Sequence, residues 1–175
     1  VQLKQAQVKA SQRRFNSYAD FYKNTLYMHK DEELKAVRSK PPGEALAFAW
    51  EQKEAGNASF KANKLEEAYG KYVRAAACIR YILPKNDDWR TEGFTDETLE
   101  EVVVQGDTPE EKRRVRELLL SCYLNIAQCR LLERTQYKEA IAACDEALAL
   151  DPSSAKAYFR RARARFEPPS CGAAE

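Results

Sequence analysis

The chain has 175 residues, enough for one domain with a core or one domain with an extended arm. An apolar fraction of 44% beside 32% charged residues, with 6 Gly and 7 Pro, suits a helix-rich globular protein and excludes a wholly disordered one. Lys and Arg total 29 against 27 acids, and the net charge of +2 makes no case for a nucleic-acid or membrane partner. The 5 cysteines (Cys78, Cys122, Cys129, Cys144 and Cys171) form no C-x-x-C, and there is 1 histidine, so neither a disulfide framework nor a zinc site is suggested. No cofactor motif is evident, and a reducing, cytoplasmic compartment is expected. No apolar run approaches the ~20 residues of a membrane span, and the N-terminus lacks the apolar core of a secretory signal. The first residue is Val rather than Met, which reads as a fragment of a larger protein.

In chain order, residues 1 to about 38 read as one long amphipathic helix, with Val1, Val8, Phe15 and Tyr22 recurring every seven residues. This arm, 1–40, packs on the body or joins it to a preceding domain; Arg13, Arg14, Lys23 and Lys30 form its solvated side, and His29 sits on its surface. Pro41, Pro42 and Gly43 end it. A helix from Glu44 to about Asn63, a turn at Asn63 and Lys64, and an antiparallel helix from Leu65 to Leu83 follow. Within this pair Gly56 permits close approach, Phe60 fills the space beside it, and Ala68, Tyr72 and Ala75 share one face. Trp50 is expected to pack against the arm.

Residues 84–107 form a long connection with a short helical turn through Thr98 to Val103; Trp89 within it has no derivable role. Thr108-Pro109-Glu110-Glu111 is a capping box with proline at the first helical position, so a helix starts at Pro109 and runs to about Glu133. Its partner covers Tyr137 to Leu150, where Ala140, Cys144 and Ala147 hold the places of Ala68, Tyr72 and Ala75 at an offset of 72. Asp151-Pro152-Ser153-Ser154 then opens AKAYFRRARARF. Cysteines at core spacing, such as Cys122 and Cys129, read as small buried hydrophobes rather than nucleophiles.

Gly56, Ala127 and Ala162 at the close-contact position of three successive first helices, together with LALDP at Leu148 to Pro152, resemble the tetratricopeptide repeat. The long connection, LLLSCYLNIAQCRLLERTQYKEAIAACDEALALDP and AKAYFRRARAR resemble more narrowly the C-terminal helical domain of large immunophilins and aryl-hydrocarbon-receptor-interacting relatives. The resemblance covers about residues 45 to 166 and implies an all-α fold. Antiparallel helix-turn-helix repeats would stack into a right-handed superhelix over 44–166, preceded by the long N-terminal helix and followed by a tail, 167–175. The third repeat has its first helix only, because EPPSCGAAE supplies no second. Stacked repeats need a polar cap; Tyr158 and Phe166 should be partly uncovered and open to self-association, unless another chain or the arm covers them.

The first helix of each pair lines the concave groove of such an array. Lys53 and Asn57 are four apart on the first, Asn125 lies on the second, and Lys156 and Arg160 are four apart on the third, so each i, i+4 pair shares a face. Two lysines, an arginine and two asparagines, with no acid nearby on that face, form an anion cradle. Singly, each is ordinarily a solvated or structural side chain; the set in register carries the signal. The resemblance implies that these five positions form a dicarboxylate clamp for the Glu-Glu-Val-Asp tail of the seventy- and ninety-kilodalton heat-shock chaperones. By it, Lys53, Asn57 and Asn125 would hold mainly the chain-terminal carboxylate, and Lys156 with Arg160 the neighbouring acids.

The expected function is therefore that of a noncatalytic cochaperone adaptor. One rival is a scaffold that binds an internal peptide or its own neighbouring domain. The other is the docking part of a prolyl isomerase whose catalytic domain lies outside this segment. The basic clusters at Lys112 to Arg116 and in FRRARAR lack an aromatic stacking platform, which argues against RNA.

Overall fold

Asn63 turns the first repeat. Its φ of 59° is left-handed, a conformation asparagine tolerates better than most residues, and it lets two helices run antiparallel. The computed structural model describes residues 10–134 and 136–167. In it α4 spans Pro42–Lys61 and α5 spans Leu65–Ile79. Helix α4 starts two residues before the expected Glu44, because Pro42 occupies the first turn, where its missing N–H leaves no bond unmade. A Cβ on Gly56 would lie 2.8 Å from the Tyr72 ring, so glycine here permits the close crossing of α4 and α5.

The second pair is α7 (Pro109–Glu133) and α8 (Tyr137–Leu150), followed by α9 (Ala155–Phe166). The Thr108 hydroxyl accepts from the Glu111 amide at 3.1 Å, and the Glu111 carboxylate accepts from the Thr108 amide at 3.1 Å, closing the capping box. Arg134, at φ 58°, ends α7. Helix α5 packs on α7, and α8 on α9, so the pairs stack as successive repeats. Ala68, Tyr72 and Ala75 in α5, and Ala140, Cys144 and Ala147 in α8, are all buried at the equivalent places. Charged side chains tie the layers. Arg130, 9% exposed at its side chain, bonds Glu139, Glu66 and Glu133 at 2.7, 2.7 and 2.6 Å, and its guanidinium lies 3.4 Å from the Tyr69 ring centre.

The arm is not one long helix. Its described part comprises α1 (Arg13–Ser17), α2 (Asp20–Lys23), a 3₁₀ segment (Asn24–Lys30) and α3 (Glu32–Arg38); Val1 and Val8 lie outside the described residues. Tyr18 and Ala19 are extended, with ψ of 154° and 144°, and break the run. A straight 38-residue helix would be about 57 Å long and could lay only part of its stripe on the body. The broken arm instead buries Phe15, Phe21, Tyr22, Leu26 and Leu34 in the main core. Arg74 of α5 clasps it through Asp31 at 2.5 Å and through Glu33. Asp31 also caps α3, accepting from the Leu34 amide at 3.0 Å. Arg14 is exposed, as expected of the solvated side, and also donates to the backbone carbonyl of Asp96.

Two further expectations give way at the connection. Helix α5 stops at Ile79 rather than Leu83, and Thr98 to Val103 is not helical except at its first residue, which ends a 3₁₀ turn over Asp96–Thr98. Instead β1 (Arg80–Pro84) pairs antiparallel with β2 (Leu99–Val103), Arg80 opposite Val103 and Pro84 opposite Leu99. The β-branched and aromatic content of RYILP and EVVV favours strands, and the ladder satisfies backbone groups that a longer α5 would have bonded internally. The arm covers part of the other edge of β1: the Ile82 amide donates to the Thr25 hydroxyl at 3.0 Å. Trp89, on the short α6 (Trp89–Glu92), is buried among Tyr27, His29 and Phe94, with ring centres 5.5, 5.6 and 5.9 Å away. It anchors the hairpin to the arm. His29 is accordingly half-buried rather than on the surface.

Helix α9 buries Ala157 and Ala164, while Tyr158, Phe159 and Phe166 are 48%, 64% and 85% exposed. The arm lies against α4, α5 and the hairpin instead.

Candidate functional site

The site is assembled from the inner helices α4, α7 and α9. Asn57 projects from α4 one turn after Lys53, and its amide is oriented by two donors. The Tyr72 hydroxyl donates to Asn57 Oδ1 at 2.9 Å, and Asn125 Nδ2 of α7 approaches the same oxygen at 3.5 Å. With Oδ1 so engaged, Asn57 Nδ2 faces outward as a donor. Asn57, Asn125 and Arg160 line one open cleft of about 170 Å³, together with Phe60, Lys61, Tyr72 and Gln128.

Arg160 enters this cleft from α9 and donates to the Leu124 carbonyl at 2.6 Å. Burial lowers its pKa; among the described residues no carboxylate pairs with it. A shielded guanidinium held by one neutral acceptor is electrostatically under-compensated. An anion in the cleft would relieve that.

Lys53 is not among the residues that line the cleft. Its side chain is 15% exposed, with the ammonium 4.8 Å from the Trp50 ring centre and 2.8 Å from Glu54 Oε1. Lys156, one turn before Arg160, is exposed. The structure thus brings Asn57, Asn125 and Arg160 to one cleft and leaves Lys53 and Lys156 outside its lining, Lys53 being linked to Asn57 through Glu54.

One expectation about the cradle fails. The face is not free of acids, for Glu54 Oε2 accepts from Asn57 Nδ2 at 3.0 Å while its other oxygen takes Lys53. Hydrogen bonds from Lys53, then from Asn57, lower the Glu54 pKa. Glu54 and Asn57 are three apart and share a helix face, so spacing alone places an acid beside the cradle; Lys53, about 100° away at the adjacent position, is reached because both side chains are long. The Tyr72 hydroxyl was also hidden in the sequence, because the helical spacing that marks Tyr72 as a core residue says nothing of its polar tip.

Away from this cleft, Cys78, Cys122, Cys129 and Cys144 are buried, and burial pushes the Cys122 thiol up to about 12. That is the behaviour of small core residues; Cys171 lies outside the described residues. No helix among the described residues is long and apolar enough to cross a membrane.

No family model matches the chain. It is 27% identical over 149 residues to an aryl-hydrocarbon-interacting protein-like 1 of Pan paniscus, covering 85% of this chain and 30% of the relative. It is 31% identical over 130 residues to an FK506-binding protein 5 of Rhizopus delemar, covering 74% of this chain and 28% of the relative. The chain therefore spans under a third of the length of either relative. Among solved structures it resembles the C-terminal TPR-containing domain of a Plasmodium falciparum FK506-binding protein, with a TM-score of 0.55 and 24% identity, covering 75% of this chain and 72% of that one. The paired helices, the glycine-to-tyrosine crossing and these likenesses agree, and the chain is a tetratricopeptide-repeat domain resembling those of immunophilin and aryl-hydrocarbon-interacting-type proteins.

Proposed function

We propose that this domain is a noncatalytic protein-interaction module of a cochaperone that captures the C-terminal Glu-Glu-Val-Asp tail of a seventy- or ninety-kilodalton heat-shock chaperone. The reading rests above all on the convergence of Asn57, Asn125 and Arg160 on one cleft in which Arg160 has no carboxylate partner among the described residues. Lys53, Asn57 and Asn125 take the chain-terminal carboxylate. Arg160, with Lys156 one turn away, takes the side-chain carboxylate of the terminal Asp and the acids before it. Arginine offers a planar fork, lysine a point charge and asparagine an amide donor that carries no desolvated charge, so the set suits two carboxylates a few ångströms apart.

Charge-assisted hydrogen bonds of this kind contribute roughly 1.5–3 kcal/mol each when one partner is deleted, against the cost of ordering a flexible tail. A net affinity on the order of micromolar, about −8 kcal/mol, follows, weakened by salt because the cleft is open to water.

Titration with a labelled Met-Glu-Glu-Val-Asp peptide, as free acid and as C-terminal amide, tests the reading, with Lys53→Ala and Arg160→Ala as controls. Binding of the acid alone, lost in both variants, supports carboxylate capture. Equal binding of acid and amide, or none, overturns it in favour of a scaffold for internal peptides.

A further inference from the structure

Glu54 deserves a role of its own, because its carboxylate already does in the free domain what an incoming carboxylate would do. One oxygen lies 2.8 Å from Lys53 Nζ and the other 3.0 Å from Asn57 Nδ2. These are the two donors of α4 that the proposed carboxylate site offers. Asn57 cannot turn a spare donor elsewhere, since its Oδ1 is fixed by Tyr72 at 2.9 Å and by Asn125 at 3.5 Å. The Glu54 side chain is 63% exposed, and among the described residues its hydrogen bonds are those to Lys53 and Asn57.

We infer that Glu54 is an internal competitor that sets the strength of the site's preference for a carboxylate: it occupies Lys53 and Asn57 until a ligand carboxylate displaces it. This inference rests on the carboxylate-capture reading and deepens it. Two effects act together. The Lys53–Glu54 pair and the Asn57 bond must be given up, and the displaced Glu54 stays on the same helix turn, where its charge opposes that of the ligand. Both disfavour an anionic terminus relative to a neutral one. Removing the charge at this position must therefore tighten binding of the acid more than that of the amide, which keeps the side-chain carboxylates but lacks the terminal one. A Glu54 that merely held Lys53 in a productive position would do the reverse.

The experiment compares the whole chain, Glu54→Gln, Glu51→Gln, Lys53→Ala and Lys53→Ala/Glu54→Gln, each titrated with Met-Glu-Glu-Val-Asp as free acid and as amide. Glu51 is an exposed acid one turn earlier on α4 and reports the general effect of lowering negative charge. The expected result is an affinity of Glu54→Gln for the acid about three- to fivefold above that of the unaltered chain, with Glu51→Gln near unchanged. Glu54→Gln does not restore the binding lost in Lys53→Ala, because the competitor's main partner is gone.

If the unaltered chain binds the acid but Glu54→Gln is no tighter, or Glu51→Gln gains as much, the competitor role is overturned and carboxylate capture stands. If neither the unaltered chain nor Glu54→Gln distinguishes acid from amide, carboxylate capture fails and the competitor role fails with it.

Discussion

The Tyr72 hydroxyl donates to Asn57 Oδ1 at 2.9 Å, so a residue buried for packing also decides which way a candidate binding amide faces. The same ring sits where a Cβ on Gly56 would be, 2.8 Å away. One side chain thus links helix crossing to site chemistry. Tyr72→Phe keeps the ring and removes the donor. We expect it to weaken the free-acid peptide about fivefold, the equivalent of roughly 1 kcal/mol, with helical content unchanged by circular dichroism. An unaltered affinity would mean that Asn125 alone orients Asn57.

Arg130 holds three carboxylates, and Glu139 and Glu133 are themselves only 8% and 14% exposed. Arg130→Met would leave these acids shielded without a cation. A loss of about 3 kcal/mol or more is expected by denaturant titration, and Arg130→Met/Glu139→Gln should recover part of it. Failure of the double variant to recover anything would place the effect in lost packing on Tyr69 instead.

Asp31 supplies an acid limb to stability. Hydrogen bonds from Arg74, then from the Leu34 amide, lower its pKa from 3.8 to about 2. Because the folded value is depressed, the contribution is fully present above about pH 4 and is lost as pH falls towards 2. Partial exposure of the pair limits it to the order of 1 kcal/mol. Asp31→Asn should therefore lower stability at pH 7 and flatten the slope between pH 4 and 2 in thermal melts.

Burial pushes the thiols of Cys78 and Cys129 up to about 12 and that of Cys144 up to about 11. With Cys122 they should resist a thiol-reactive disulfide reagent in the native state of a Cys171→Ser variant and react together on unfolding. A fast-reacting thiol in that variant would reveal local opening of the repeat that carries it.

Most of the repeat architecture was legible from particular residues. The capping box at Thr108, the proline at the start of α7 and the recurrence of small residues at Ala68 and Ala140 are local signals, and local signals fix helices. The hairpin was not legible, because pairing Arg80 with Val103 is a non-local event, and the strand-forming content of RYILP continued a helical pattern without a break. The arm misled for a related reason: a seven-residue recurrence describes a stripe only if the helix runs on, whereas Tyr18 and Ala19 interrupt it and Asp96, far along the chain, caps the start of α1 by accepting from the amides of Arg14 and Phe15 at 2.7 and 2.9 Å. The cleft lay between these cases. Its asparagines and Arg160 could be read in register; Glu54, three residues before Asn57, shares that face as well, and its reach to the adjacent Lys53 is what helical spacing does not give.

The meeting of the arm with Asp96 also bears on how the chain acquires its structure. The helix pairs close between neighbours a few residues apart, but this contact joins segments separated by more than 80 positions, and the entropy of so large a loop is lost before the contact returns any energy. The repeats can therefore form while the arm and the hairpin tip are still apart, and the two ends then dock as one late, cooperative unit. Amide exchange at Phe15 and in the 96–98 turn should share a single opening rate, faster than that of the α5–α7 interface.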